Sequence, residues 1–147
     1  MTSENYTWAH LLDEVDLEEL SRLYLLAPLG DKPPESLATV FGNSRFTCFV
    51  RAGDVLVGAG RALADGADCA YLADVAVHPE HQGRGLGSGI IRKLVELTAG
   101  HKKTILYAAP GTEAFYRGLG FRHMNTAMAI WSDPQRAVDI GLLRPRD

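Results

Sequence analysis

In the run His78-Pro79-Glu80-His81-Gln82-Gly83-Arg84-Gly85-Leu86-Gly87-Ser88, glycine alternates with Arg84 and Leu86. Backbone so poor in side chains lets an anion approach closely. A helix starting at the far end adds unpaired N–H groups and the positive end of its dipole. The chemistry this combination serves is phosphate binding: the backbone of Gln82, Gly83, Arg84, Gly85, Leu86, Gly87 and Ser88 donates, and the Arg84 guanidinium adds a charge-assisted contact. The Leu86 side chain is expected to point into the core. His78 and His81 have a His-x-x-His spacing, but no third ligand stands at a suitable distance in the chain, so they read as turn histidines and no metal is expected.

The elements that must hold this loop follow from pattern. An apolar strand, Ala70 to Val77, leads into it. The helix Leu86 to Ala99 leaves it, with Ile90, Ile91, Leu94, Val95 and Leu97 at helical period before Gly100. Upstream, Asp16 begins a helix that ends near Pro28, with Glu19 completing a capping box and Leu17, Leu20, Leu23 and Tyr24 on one face. A short helix over Glu35 to Phe41 follows a Pro/Gly-rich loop. Strands over Phe46–Val50 and Val55–Ala59 flank a tight turn at Ala52-Gly53-Asp54, and Asp65-Gly66 marks the next turn. Downstream the pattern predicts a strand over Thr104–Ala108, a helix around Thr112–Arg117, a strand from Phe121 to Ile130, and a final short helix capped by Ser132-Asp133-Pro134. Two helices, an antiparallel hairpin with a third strand, and then strand, helix, strand, helix, strand make a mixed α/β layer fold.

The 147 residues suit one domain over 1–147. A net charge of −3 without any basic run excludes an electrostatic footprint for nucleic acid. The polar, acidic N-terminus and the lack of any apolar run of about 18 residues predict neither signal peptide nor membrane span, which makes the cytoplasm the expected compartment. Cys48 and Cys69 lie in apolar stretches without CxxC spacing and read as small buried thiols. The loop is not a P-loop, which needs Gly-Lys-Ser or Gly-Lys-Thr, nor a dinucleotide fold, which would begin with alternating βα units.

Gln82, Gly85 and Gly87, placed between the strand Asp74-Val75-Ala76-Val77 and a helix, resemble the acetyl-CoA motif Gln/Arg-x-x-Gly-x-Gly/Ala of the GCN5-related N-acetyltransferase (GNAT) family. Phe115-Tyr116-Arg117-Gly118-Leu119-Gly120-Phe121 resembles the family's second hallmark, and the likeness covers roughly residues 10 to 131. Val40-Phe41-Gly42-Asn43-Ser44-Arg45-Phe46 and Val57-Gly58-Ala59-Gly60-Arg61-Ala62 resemble plant chloroplast serotonin N-acetyltransferases and their small bacterial relatives.

The resemblance implies the α/β GNAT fold, a single mixed, mostly antiparallel sheet flanked by helices with a phosphate-binding strand-loop-helix, and acetyl-CoA as co-substrate, with the backbone of Val75, Ala76 and Val77 pairing sheet-like with it and one N–H steadying the oxyanion. It implies Tyr116 as the general acid for the leaving thiolate, a role suited to a group with an ordinary pKa of about 10. Asp74 would take the amine proton, directly or through water, or fix the ammonium beforehand; alternatively it is a strand-end carboxylate satisfied by backbone donors. Many members carry an asparagine before the tyrosine helix, where this chain has Pro110-Gly111-Thr112-Glu113. There the Gly111 backbone or the Thr112 hydroxyl substitutes, or Thr112 only caps the helix.

The expected function is direct N-acetyl transfer to a primary amine, first an arylalkylamine or polyamine-like small molecule. A protein lysine or N-terminus is the second acceptor, and a non-catalytic acyl-CoA sensor is the reading from another class. A homodimer formed through the last strand and the segment Trp131 to Leu143 is a further expectation.

Overall fold

Five strands in the order β1-β2-β3-β4-β5 form one sheet, antiparallel throughout except for a parallel last pair. The computed structural model describes residues 5–146. The strands are β1 (Tyr6–Ala9), β2 (Phe46–Ala52), β3 (Val55–Ala64), β4 (Cys69–Val77) and β5 (Lys103–Ile105); the helices are α1 (Leu17–Leu26), α2 (Pro34–Gly42), α3 (Leu86–Leu97), α4 (Glu113–Gly118) and α5 (Pro134–Asp139). Backbone contacts divide the chain into two units, Met1–Leu106 and Tyr107–Asp147.

In the first unit, alternation along β3 sends successive residues to opposite faces. Ala59 joins Leu20, Leu23, Tyr24, Leu37, Phe41 and Phe49 in a buried cluster under α1 and α2. Gly58 and Gly60 face α3 instead, where Ile90, Ile91 and Leu94 are buried. A Cβ on Gly60 would stand 2.7 Å from Ile90 Cγ2, so the helix packs directly against strand backbone there. Each fully buried leucine or isoleucine contributes roughly 1.5–3 kcal/mol.

The β3–β4 register carries a bulge. Ala59 pairs with Ala76 and Arg61 with Ala73, so Gly60 alone faces both Asp74 and Val75. Asp74 absorbs the extra residue at φ 56°, the one non-glycine residue with positive φ among those described. Beyond the bulge β4 has no strand on its other side, since β5 pairs only with Cys69, Ala70 and Tyr71.

Asp16 does cap α1, its carboxylate accepting from Glu18 N–H at 2.9 Å. The expected capping box is not completed, because Glu19 turns to β3, accepting from Leu56 N–H at 3.0 Å and pairing with Arg51. A strand at Tyr6–Ala9 was not expected; it adds to the β2 edge with Trp8 opposite Val50.

The second unit holds α4 and α5, with Asp133 capping α5 by accepting from Arg136 N–H at 3.1 Å. The strand expected over Phe121–Ile130 is not formed. A strand needs a neighbour to take its N–H and C=O groups, and no ladder reaches this segment. Met128 and Ile130 are fully exposed, so these apolar residues have no core beneath them. The sheet edge on which two-fold pairing was expected is therefore not present among the described residues.

Candidate functional site

The glycine run folds into a cradle at the end of β4. His78 N–H makes a last ladder bond to Val57 C=O at 2.8 Å, Pro79–His81 form one turn of 3-10 helix, and α3 starts at Leu86. Gly83 and Gly85 adopt φ 78° and 81°, left-handed geometry that costs an L-residue about 1–2 kcal/mol. Their Cβ positions point into open space, so the loop surface there is bare backbone. The first α3 hydrogen bond runs from Gly89 N–H to Gly85 C=O. The N–H groups of Leu86, Gly87 and Ser88 therefore precede the helical ladder and have no intrahelical acceptor. No acidic side chain occupies this first turn to compete with an anion.

Side chains fasten the cradle rather than fill it. Leu86 is buried, as expected. The Gln82 amide donates to Val77 C=O at 3.1 Å, and the Ser88 hydroxyl donates to Gly85 C=O at 3.2 Å. Arg84 Nη1 donates to the Tyr6 hydroxyl at 3.2 Å, and that hydroxyl also meets His81 Nδ1 at 3.0 Å. Among the described residues no cluster of histidine, cysteine, aspartate or glutamate could hold a metal ion.

Upstream of the cradle, Ala76 is buried and Val75 and Val77 are half-buried. Because His78 N–H points to β3, strand alternation turns the peptide groups of Val77 to the opposite edge, where no strand pairs with this part of β4 among the described residues and the Val77 C=O accepts from the Gln82 amide. An open edge leading into an anion cradle fits an extended chain ending in phosphate.

Asp74 sits at the start of that edge and is held from several sides. Its Oδ2 accepts from Arg61 Nε at 2.8 Å, its Oδ1 lies 3.5 Å from Lys32 Nζ, and its C=O accepts from the Tyr24 hydroxyl at 2.6 Å. Arg61 also reaches Ser44 Oγ at 3.4 Å. Burial, and then the Asp74 charge, push the Tyr24 phenol well above its ordinary value, so it stays a donor. The reading of Asp74 as a carboxylate satisfied by backbone donors gives way to one satisfied by two cations. Neither Arg61, Lys32 nor Tyr24 was singled out as its partner, since they lie 13 to 50 residues away with no periodic relation to it. Tyr24 and Phe41 are buried in the core.

In the second unit, Tyr116 on α4 is half-buried against Phe115 and Phe121, with ring centroids 5.1 and 5.9 Å away. Burial raises its pKa above the ordinary tyrosine value. Phe121 N–H closes the helix end on Tyr116 C=O at 3.1 Å, which accounts for the Gly118-Leu119-Gly120-Phe121 sequence as a helix stop. The Thr112 hydroxyl does not cap α4; it donates to Ala109 C=O at 2.6 Å. Gly111 N–H points to Glu113 Oε1 at 3.3 Å.

Residues 12–121 match the model of the acetyltransferase (GNAT) family. The chain belongs to that family. Among similar proteins are the uncharacterized N-acetyltransferase ycf52 of Pyropia yezoensis, 42% identical over 72 residues (48% of this chain, 41% of that protein), and the ycf52-like protein of Prochlorococcus marinus, 31% identical over 115 residues (73% and 63%). The chain thus spans well under half the length of the first of these. A GNAT family protein from Streptococcus pneumoniae has the same fold at TM-score 0.75 and 24% identity, covering 88% of this chain and 98% of its own. A putative acetyltransferase from Deinococcus radiodurans aligns at TM-score 0.77 and 22% identity, covering 99% and 100%. The GNAT fold explains the open β4 edge and the cradle as parts of one feature. No helix among the described residues is long and apolar enough to cross a membrane.

Proposed function

We propose that the chain is an acetyl-CoA-dependent N-acetyltransferase acting on a small primary amine by direct transfer. The observation that carries this reading is the joining of a β4 edge at Val75–Val77, which pairs with no strand among the described residues, to a glycine cradle of bare backbone at the start of α3, where N–H groups lack intrahelical acceptors. Acetyl-CoA supplies a thioester, a carbonyl activated toward amine attack.

In this reading the Val75 and Val77 peptide groups hold the extended pantetheine, with an N–H from the Val75–Val77 stretch at the developing oxyanion. The backbone of Gln82–Ser88 holds the pyrophosphate, Arg84 adds charge from a position set by Tyr6, and Gly111 or Thr112 takes the contact usually made by asparagine. Asp74, already paired with Arg61, anchors the acceptor ammonium; one ammonium proton leaves to water, the freed nitrogen forms the C–N bond, the C–S bond breaks as Tyr116 gives its proton to sulfur, and the second proton lost by the nitrogen passes through water to restore the Tyr116 hydroxyl, so one net proton is released. A ping-pong route through cysteine is disfavoured by chemistry: Cys48 is fully buried, and burial pushes its thiol up to about 11.

The test is release of coenzyme A thiol from acetyl-CoA with arylalkylamines, polyamines and lysine peptides, comparing the native chain with Tyr116→Phe. Loss of the acid lowers kcat by about 10²–10³-fold with acetyl-CoA affinity unchanged, as expected for removal of a general acid. Because burial raises the Tyr116 pKa, the acid stays protonated further into the alkaline range, and the kcat profile of the native chain falls only above about pH 10. Acetyl-CoA binding without turnover on any amine favours the sensor instead.

A further inference from the structure

We propose that the Lys32 side chain occupies the place of the acceptor's ammonium, so that the acceptor is a primary alkylamine that exchanges with Lys32 on Asp74 Oδ1. This rests on Asp74 being the acceptor anchor. Lys32 Nζ lies 3.5 Å from Oδ1 and 5.7 Å from the centroid of the Tyr24 ring, between a carboxylate and an aromatic face. That pair of groups recognises an alkylammonium by charge and by cation–π attraction.

The two cations on Asp74 are unequal. Arg61 is the tighter partner at 2.8 Å, its side chain 14% exposed and tied to Ser44. Lys32 is the longer contact and its side chain is 29% exposed. It stands in the segment joining α1 to α2, outside any helix or strand. Its backbone is fixed independently, the carbonyl accepting from the Ser21 hydroxyl at 2.6 Å, so the side chain can leave while the loop stays. An ammonium approaching Oδ1 meets the like charge of Lys32 already beside that oxygen, and the repulsion between the two favours displacement of the more loosely held cation. Lys32 is the one it resembles: a compact ammonium on an unbranched carbon chain, where Arg61 is a planar fork. The class of acceptor that fits is an amine carried on an unbranched CH2 chain.

The probe is n-butylammonium, which reproduces the lysine side chain beyond Cα. In Lys32→Ala, titration with n-butylammonium should give saturable shifts of the Asp74 amide and Tyr24 ring NMR signals, at an affinity at least about tenfold above that of the native chain. Lys32→Arg, which keeps the place filled, should show no gain, and Lys32→Gln repeats the experiment with a longer neutral side chain should Lys32→Ala fold poorly. The absence of saturable shifts at Asp74 in both neutral variants overturns the proposal. Thiol release from acetyl-CoA with n-butylamine is read in parallel: saturable binding without release overturns the acetyl-transfer reading and leaves the exchange at Asp74 standing.

Discussion

The cradle at residues 82–88 and the cluster around Asp74 lie at the two ends of one strand segment yet are built in opposite ways. The cradle is a contiguous stretch whose donors are main-chain N–H groups, and its side chains are buried, as Leu86 is, tied back to the backbone, as Gln82 and Ser88 are, or bonded to another side chain, as Arg84 is to Tyr6. The Asp74 cluster draws Tyr24 from α1, Lys32 from the following loop, Ser44 from before β2 and Arg61 from β3. A site made of backbone depends on φ and on the absence of Cβ atoms. A site made of side chains depends on each charge keeping its partner.

That contrast is sharpest where a single charge is removed. Arg61→Met strips Asp74 of its closer partner in a mostly buried setting and should lower the unfolding free energy by about 2 kcal/mol, read by urea denaturation; a change within error would show that Lys32 suffices. Gly85→Val tests the other design, since a β-branched residue at φ 81° is strained by about 1–2 kcal/mol and places a side chain in the cradle. Calorimetry should show acetyl-CoA affinity falling at least about tenfold, while Ser88→Ala leaves it nearly unchanged.

Tyr24→Phe deletes only the hydroxyl that holds Asp74 C=O in its left-handed conformation, and should cost about 1 kcal/mol of stability. Thermal melts would sink this idea if the variant were as stable as the native chain. The smallest effect lies outside both regions, at the Asp65 turn. There the carboxylate accepts from the N–H groups of Ala67, Asp68 and Cys69, which hold its pKa down at about 2. A lowered pKa stabilises the fold above the unfolded carboxylate value of about 4 and ceases to do so as pH falls toward 2. Asp65→Ala should therefore melt below the native chain at neutral pH, with the two Tm curves converging between about pH 4 and pH 2.

Legibility in the sequence followed the same division. The strand–cradle–helix passage could be read directly, because glycine spacing and a helical period are local signals. Asp16 was equally readable as a cap. Glu19 was not, because Leu56 N–H competes for its carboxylate and lies 37 residues away. The apolar residues of Phe121–Ile130 suggest a strand, although nothing local reports whether a neighbouring strand exists to pair with it. The short β1 escaped notice for the converse reason, its strand geometry being imposed by the β2 edge.

By itself, the sequence determined the helices, the strand–cradle–helix passage and the family motif, since each depends on residue types within a few positions of one another. Only the tertiary structure decided that Asp74 sits in a β4 bulge, that Arg61 and Lys32 share its carboxylate, that Tyr24 holds its backbone and that Tyr6 steers Arg84. Those contacts join residues 13 to 78 positions apart. They form because packing the two faces of one sheet brings charges together that no local pattern connects.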